Sequence, residues 1–561
     1  MYLSAQQRRA AGESAASQGN TLARIISQIN EDDAAERYEV ECKDNKAPRP
    51  VTDRTESANS SLPRKIIAWE DEDSENPYNW SNKKKASIVI IGMIVVVNST
   101  LGSSLPANAI PFISKEFNIT SSTTQILPLS MYLIGYVLGP LLFGPLSETY
   151  GRKLIMTSTF ILFTIFTMAC ALASNFPSLL IFRLFAGVNA SSPISVVGGV
   201  YADLYDDPVS RGRAFSLFMA GTCVGPLVAP VISGFVSSSL GWRWSFWIGL
   251  IIAGISLPPL FFLPETFGPV LLAQRAQQLR KSSGNNQIYA RIELEKKGFK
   301  QMATVTLTRP LRMLCFEPIV SATCAYLSLI YGIFYMYFEA YPIVYQGIYK
   351  MSPGIAGLMF LPIFAGAALA TSLFIYYDTF LRRAQRQNKS WTRKEEARRL
   401  PLACFGGPFL VIALFWIGWT SREGIPFYVP MLAGIPFGLG YVLLFMALLN
   451  YLTDAYEIFA ASAMAASSCC RSLAGAVLPF ATTPMYQSLG VPWATSLLAF
   501  LSLGMCAIPF LFLWKGDALR AGSTFCIYLR ENKVKEQAEL DRERAERRQA
   551  EKATEGASKK V

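Results

Sequence analysis

The sequence predicts an all-α membrane protein with twelve transmembrane helices in two six-helix halves. Three observations carry this. Charged residues are 16% and hydrophobic residues 51% of the 561-residue chain, whereas soluble chains carry roughly 25% charge. The shortage is local: residues 1–85 and 517–561 are polar and charge-rich, while apolar blocks repeat between them. At about 20 residues per crossing, those blocks have room for around a dozen helices.

In chain order, residues 1–85 form an N-terminal tail whose first 75 positions mix Ser, Ala, Gln, Glu and Arg without sustained periodicity, the composition of a disordered segment. The tail lacks an apolar core, so no cleavable signal peptide is expected and the first span acts as the insertion signal. Six spans follow at 86–108, 124–144, 154–174, 178–200, 214–238 and 244–263, giving an N-terminal half of residues 86–263. The polar stretch 264–312 is the long internal break, and its run 274–300 could form an amphipathic helix on the membrane surface. Six more spans at 313–339, 355–377, 401–420, 427–449, 461–487 and 493–514 give a C-terminal half of residues 313–516. The tail 517–561 closes the chain, and its alternating LDRERAERRQAEKA run reads as a solvated helix without the apolar a/d positions of a coiled coil.

Loop charge sets the orientation. With the N-terminus in the cytosol, the inside loops hold Arg152, Lys153, Arg211, Arg213, the basic residues of 264–312 and the cluster from Arg382 to Arg399. The outside loops hold only scattered charges such as Lys115, Arg243, Lys350 and Arg422. Both termini are therefore expected in the cytosol, in the plasma membrane first and the vacuolar membrane second. The net charge of +12 follows from these loops, so no nucleic-acid partner is expected. The bilayer and a small-molecule substrate are the expected partners, and the chain is expected to act as a monomer.

Composition also limits the chemistry. The chain has no histidine, which removes His-based catalysis, most zinc sites and the usual near-neutral proton acceptor. Cysteines such as Cys170, Cys223 and Cys404 sit in apolar runs without zinc-site spacing, and the adjacent Cys469 and Cys470 read as packing residues. There is no phosphate-cradling G-x-x-x-x-G-K-[ST] loop, which argues against direct use of ATP. No enzyme activity, metal or cofactor is expected, only a proton gradient as driving force.

Three motifs stand in order. Gly144-Pro145-Leu146-Ser147-Glu148-Thr149-Tyr150-Gly151-Arg152-Lys153 lies between spans two and three, where glycine permits a tight turn and the acid and bases can pair. The fourth span contains Arg183 and, four residues later, Gly187. An Arg within an apolar run marks a functional site by default, with snorkelling to the outer interface as the alternative. The fifth span contains Gly221, Gly225, Pro226, Pro230 and Gly234, small residues that let helices touch and prolines that bend them.

Together these resemble the signature loop G-x-L-x-D-x-x-G-R-K, the fourth-span R-x-x-x-G and the antiporter motif of the major facilitator superfamily, with Glu148 where Asp is usual. Asn76-Pro77-Tyr78-Asn79-Trp80-Ser81, Pro264-Glu265-Thr266-Phe267-Gly268-Pro269 and Phe338-Glu339-Ala340-Tyr341-Pro342 narrow the resemblance to its fungal twelve-span drug:proton antiporter branch. The resemblance covers residues 76–516 and implies parallel halves around a central cavity. It implies a latch role for Gly144, Glu148, Gly151, Arg152 and Lys153, and proton coupling for Arg183 and for an acid at the place of Glu339. It implies a proton-coupled efflux pump for lipophilic or amphipathic drugs, toxins or secondary metabolites. A polyamine exporter and a transporter-like nutrient sensor are the alternatives.

Glu339 has little polar company in sequence, and desolvation disfavours the charged form of such a carboxylate. It is the leading candidate for a proton site, with an interfacial Glu as the alternative and Asp454, Glu457 or Asp203 as substitutes. Tyr331, Tyr335, Asn98 and Asn189 are the candidate cavity residues, although Tyr at helical spacing also serves packing. Asn118 is the one sequon expected on an outside loop; those at Asn59, Asn79 and Asn388 would face the cytosol.

Overall fold

A bilayer offers no water to backbone N–H and C=O groups, so each apolar block must satisfy its own, and an α-helix does so within one segment. The computed structural model describes residues 65–70, 72–294, 299–456, 459–523 and 525–530. Among them, eleven helices are long and apolar enough to cross a membrane. The first six are Asn82–Glu116, Leu127–Tyr150, Arg152–Ala171, Phe176–Leu204, Ser210–Ser239 and Arg243–Phe261. Spans seven to ten are Pro318–Ile348, Pro353–Arg386, Glu396–Thr420 and Tyr428–Tyr456, and the last of the eleven is Pro479–Ala521.

The count differs from twelve for a local reason. The stretch expected as span eleven begins with the helix Ala460–Val477, whose Arg471, Ser462, Ser467, Ser468 and Ser472 dilute its apolar character. Leu478 stays helical and leads into Pro479–Ala521, which contains a break at Gly490 with φ 72° and ψ 165°. That long helix therefore has two arms, and the break falls where the sequence separates spans eleven and twelve.

The packing repeats. Span one lies along span five and span two along span four; in the second half, span seven lies along the 460–477 helix and span eight along span ten. Between the halves, span five packs on span eight, and span two packs on the 460–477 helix. Counting that helix as span eleven, adding six to each number maps the first set of contacts onto the second. Such a relation is expected of parallel repeats about an axis along the membrane normal.

Two expectations about the polar segments change. Residues within the segment assigned to the tail pack against the central loop: Lys65–Ile67 (β1) pairs in parallel with Ile288–Ala290 (β2), with Lys65 opposite Ile288. The expected helix at 274–300 instead runs Gly268–Ser283 and stops at Gly284, a left-handed cap with φ 66°. Its apolar face, Leu272 and Ala276, packs with Trp69, Ile288 and Ala290, so protein covers it. Ion pairs fasten the edges. Arg280 holds the Glu293 carboxyl below the usual range for a glutamate. Burial opposes ionisation of Asp73, but the Glu75 N–H and Arg275 outweigh it and hold that carboxyl low as well. The readings for 1–64 and for the charged run 531–561 lie outside the described residues.

Asn118 is exposed between spans one and two, in a left-handed conformation with φ 55° that Asn tolerates. We expect an endoglycosidase to increase the mobility of the cell-expressed protein, and Asn118→Gln to abolish that shift. A shift that survives the substitution would contradict the assignment.

Candidate functional site

The 144–153 motif is mostly helix rather than loop. Span two continues to Tyr150, and the turn falls at Gly151, whose φ of 100° explains the need for glycine there. Gly144 sits inside the helix with open space around it, so the expected turn at that residue is absent. Span three then starts at Arg152, and its free N–H groups are capped by a residue distant in sequence. The N–H of Arg152 donates to Glu265 Oε1 at 2.9 Å, and that of Lys153 to Oε2 at 3.1 Å. A carboxylate at this position meets both the unpaired donors and the positive end of the helix.

The Arg152 side chain turns inward and is only 2% exposed. Its Nε donates to Asp203 Oδ2 at 3.1 Å, Nη1 donates to Ser147 Oγ at 2.6 Å, and Glu148 lies at 3.6 Å. The arginine of the motif thus pairs inside the first half. The second half has a counterpart at the same place: Arg399, at the start of span nine, donates to Asp454 at the end of span ten, at 2.8 Å. Glu457 lies outside the described residues.

At the opposite end of the bundle the halves are sealed. Asn108 Nδ2, in span one after its first helical segment Asn82–Ser104, donates to the carbonyls of Pro230 at 2.9 Å and Pro353 at 3.3 Å, tying spans one, five and eight together. Ser103 Oγ and Tyr335 Oη are 2.8 Å apart, joining spans one and seven. The antiporter-motif residues serve these contacts. A Cβ on Gly225 would stand 2.4 Å from Leu101 N, and one on Gly234 would stand 2.4 Å from Pro353 O. Pro230 supplies the carbonyl for Asn108, while Gly221 faces Met93 of span one. Both prolines lie within a continuous helix.

A seal that requires a bare Cα is sensitive to one methyl group. Gly234→Ala is expected to disfavour the closed arrangement at this end. In a chain retaining Cys223 as its sole thiol, labelling by an impermeant reagent presented to that end should rise several-fold. Unchanged labelling in a folded variant would count against this role.

On the 144–153 side of the seal lies a cavity lined by residues of both halves. Tyr331, Phe334, Tyr335, Tyr441 and Phe445 form its aromatic wall, and Pro226, Cys223 and Thr222 form the wall from span five. Tyr331 and Tyr335 thus stand where the sequence suggests a cavity. Asn98 and Asn189 do not: Asn98 donates to Ile94 O and Ser256 Oγ, and Asn189 donates to Phe185 O one turn back. Both amides bond within the first half, and neither lines the cavity.

Arg183 is buried and does not snorkel. It donates to the carbonyls of Pro128 at 2.7 Å, Gly102 at 2.7 Å and Ser103 at 3.0 Å, and it lies 4.4 Å from the Tyr132 ring centre. It therefore fastens span four to spans one and two. Glu339 is one turn beyond Tyr335 and partly buried; its Oε1 is sealed from solvent with no hydrogen-bond partner. Arg183 and Glu339 do not touch. From Arg183 the contacts reach Ser103 and, through its hydroxyl, Tyr335, one helical turn before Glu339.

Sequence reasoning missed Arg471 of the cavity, Asn108 of the seal and the capping role of Glu265. Arg471 was findable, because it is a charge inside an expected span, as Arg183 is. Asn108 and Glu265 act on residues more than 100 positions away, which no local pattern reveals.

Two repeated halves that meet at a cavity sealed at one end have the architecture of a multi-pass membrane carrier. A model of the Major Facilitator Superfamily matches residues 92–479. The chain is 39% identical to the citrinin biosynthesis cluster MFS transporter mrr1 of Monascus ruber, over 82% of this chain and 92% of that protein. It is 38% identical to the major facilitator superfamily multidrug transporter mdrA of Aspergillus fumigatus, over 81% of this chain and 74% of that protein. Among solved structures, the proton:xylose symporter XylE bound to 6-bromo-6-deoxy-D-glucose aligns with a TM-score of 0.57 at 17% identity, covering 78% of this chain and 96% of that chain. That likeness is one of fold. The chain belongs to the major facilitator superfamily, in the branch that holds these fungal transporters.

Proposed function

We propose that this protein is a proton-coupled exporter of small lipophilic or amphipathic compounds, acting as a monomer in the plasma membrane. The observation that carries the reading is the aromatic cavity at the junction of the halves, closed by the Asn108 and Ser103–Tyr335 contacts at one end. Mostly apolar walls with a few polar groups suit small organic molecules. Among the described residues that line it there is no carboxylate, which weighs against a polyamine as cargo. The relatives named as a multidrug transporter and a biosynthesis-cluster transporter support export as the direction. The basic residues around 152–153 and 382–399 assign that end of the bundle to the cytosol. Glu339, an acid with an unpartnered buried oxygen beside the seal, is the candidate proton carrier.

Deleting the protein is expected to raise the intracellular level of at least one lipophilic compound, and a protonophore should reproduce the effect in intact cells. Efflux from sealed vesicles driven by ATP without any pH gradient would overturn secondary transport.

A further inference from the structure

Arg471 is the single charged side chain among the described residues that line the cavity. It projects from the helix Ala460–Val477, the same helix whose polar residues lower its apolar character. A guanidinium carries five N–H donors in a rigid planar fork. Among the described residues it reaches one neutral oxygen, Ser468 Oγ at 3.3 Å, and two ring faces, those of Tyr331 at 6.0 Å and Phe445 at 5.9 Å from the ring centres. Among the described residues no carboxylate stands within ion-pair distance of it. Glu339 is no substitute, because eight residues of helix separate it from Tyr331, a rise of about 12 Å.

A cation inside a membrane protein ordinarily pairs with an acid or with backbone carbonyls, as Arg183 does with three of them. Arg471 faces a cavity instead, with most of its donors unused. The rings beside it are ordered as a wall: Tyr331 and Tyr335 are 4.9 Å apart, and Tyr441 and Phe445 are stacked at 4.6 Å. A planar fork next to flat aromatic faces matches one kind of ligand. We infer that the cavity binds organic anions, specifically planar aromatic or conjugated carboxylates, with the carboxylate on the Arg471 fork and the ring system against Tyr331 and Phe445. Bidentate pairing with a carboxylate is the geometry for which Arg is suited. The same charge repels polycations, which sets this class apart from polyamines. The inference rests on the export reading for its direction but not for its binding step.

The test uses the purified full-length chain in nanodiscs. Anthracene-9-carboxylate and 2-naphthoate are each compared with their methyl esters by equilibrium binding, in the native protein, Arg471→Lys and Arg471→Gln. The native protein should bind each acid at least about tenfold more tightly than its ester, the size of effect a charge-assisted hydrogen bond gives. In Arg471→Gln that ratio should fall to about one, and Arg471→Lys should keep part of it. If Arg471→Gln does not yield folded protein, the acid-to-ester ratio of the native protein and the Lys variant decides. Equal binding of acid and ester, no binding of either acid, or an undiminished ratio in Arg471→Gln would each overturn the inference. A parallel flux measurement in proteoliposomes with an imposed pH gradient separates the two readings. Arg471-dependent binding without flux leaves the anion site standing and removes export. Flux of a neutral dye without acid binding does the reverse.

Discussion

Glu339→Gln is expected to abolish proton-driven export while leaving expression and substrate binding in place. Gln has the shape of protonated Glu, so the packing beside Phe338 and the seal should be preserved. What it cannot do is take up and release a proton. A carboxylate with a sealed oxygen and no hydrogen-bond partner is costly to keep ionised in an apolar setting. Opening of the seal would admit water to the group, and closing it would exclude water again. On the reading proposed above, the group would couple its proton to the same contacts that decide which end of the cavity is open. With no histidine in the chain, little else serves that role near neutral pH.

The measurement is substrate flux in proteoliposomes across a range of pH on the sealed side, with binding measured in parallel. Binding with flux at the protein-free level supports the role. Normal flux across that range would make Glu339 an interfacial residue and move the coupling to Asp454, Asp203 or Glu457. Arg183 contributes to the same test through Ser103 and Tyr335. Because three backbone carbonyls depend on it, Arg183→Lys is the informative change, keeping the charge while losing the fork.

How much of this was legible in the sequence depends on the range of each interaction. The helical spans, the aromatic stripe with Tyr331 and Tyr335, and the small-residue pattern of span five are local, with periods of a few residues, and could be read directly. The partners of those patterns were not legible. Gly234 reads as a contact glycine, but only the fold shows that Pro353 is what it touches. Likewise, the pairing of Arg399 with Asp454 was hidden because the second-half copy of the signature loop lacks its glycines, although the charges kept their places. Residues 65–70 misled for a related reason. A strand of three residues and one Trp are too short to give a periodic signal, and they are ordered by the 268–294 segment more than 200 positions away.

The second large effect is expected at Arg152. Arg152→Ala removes a nearly fully buried cation and leaves Asp203, itself 7% exposed, without it. Removing one partner of a buried ion pair costs about 3–5 kcal/mol, mainly because the other charge stays desolvated. Asp203→Asn should cost less, since Arg152 keeps Ser147 at 2.6 Å and Glu148 at 3.6 Å. The diagnostic is the double variant. With both charges gone the buried Asp203 carboxylate is no longer left without Arg152, so Arg152→Ala with Asp203→Asn should be destabilised by less than the sum of the two single changes, by at least about 1 kcal/mol. Thermal unfolding of the purified variants, followed by cysteine accessibility, measures all four corners of the cycle. Additive effects would mean that the pair contributes no coupling, and Arg152 would then act through Ser147 and the Phe267 ring at 4.8 Å. A coupling of the expected size would show that the signature motif first fastens spans two, three and four into one body. That rigidity is what a half must have if it is to rock as a unit about the cavity.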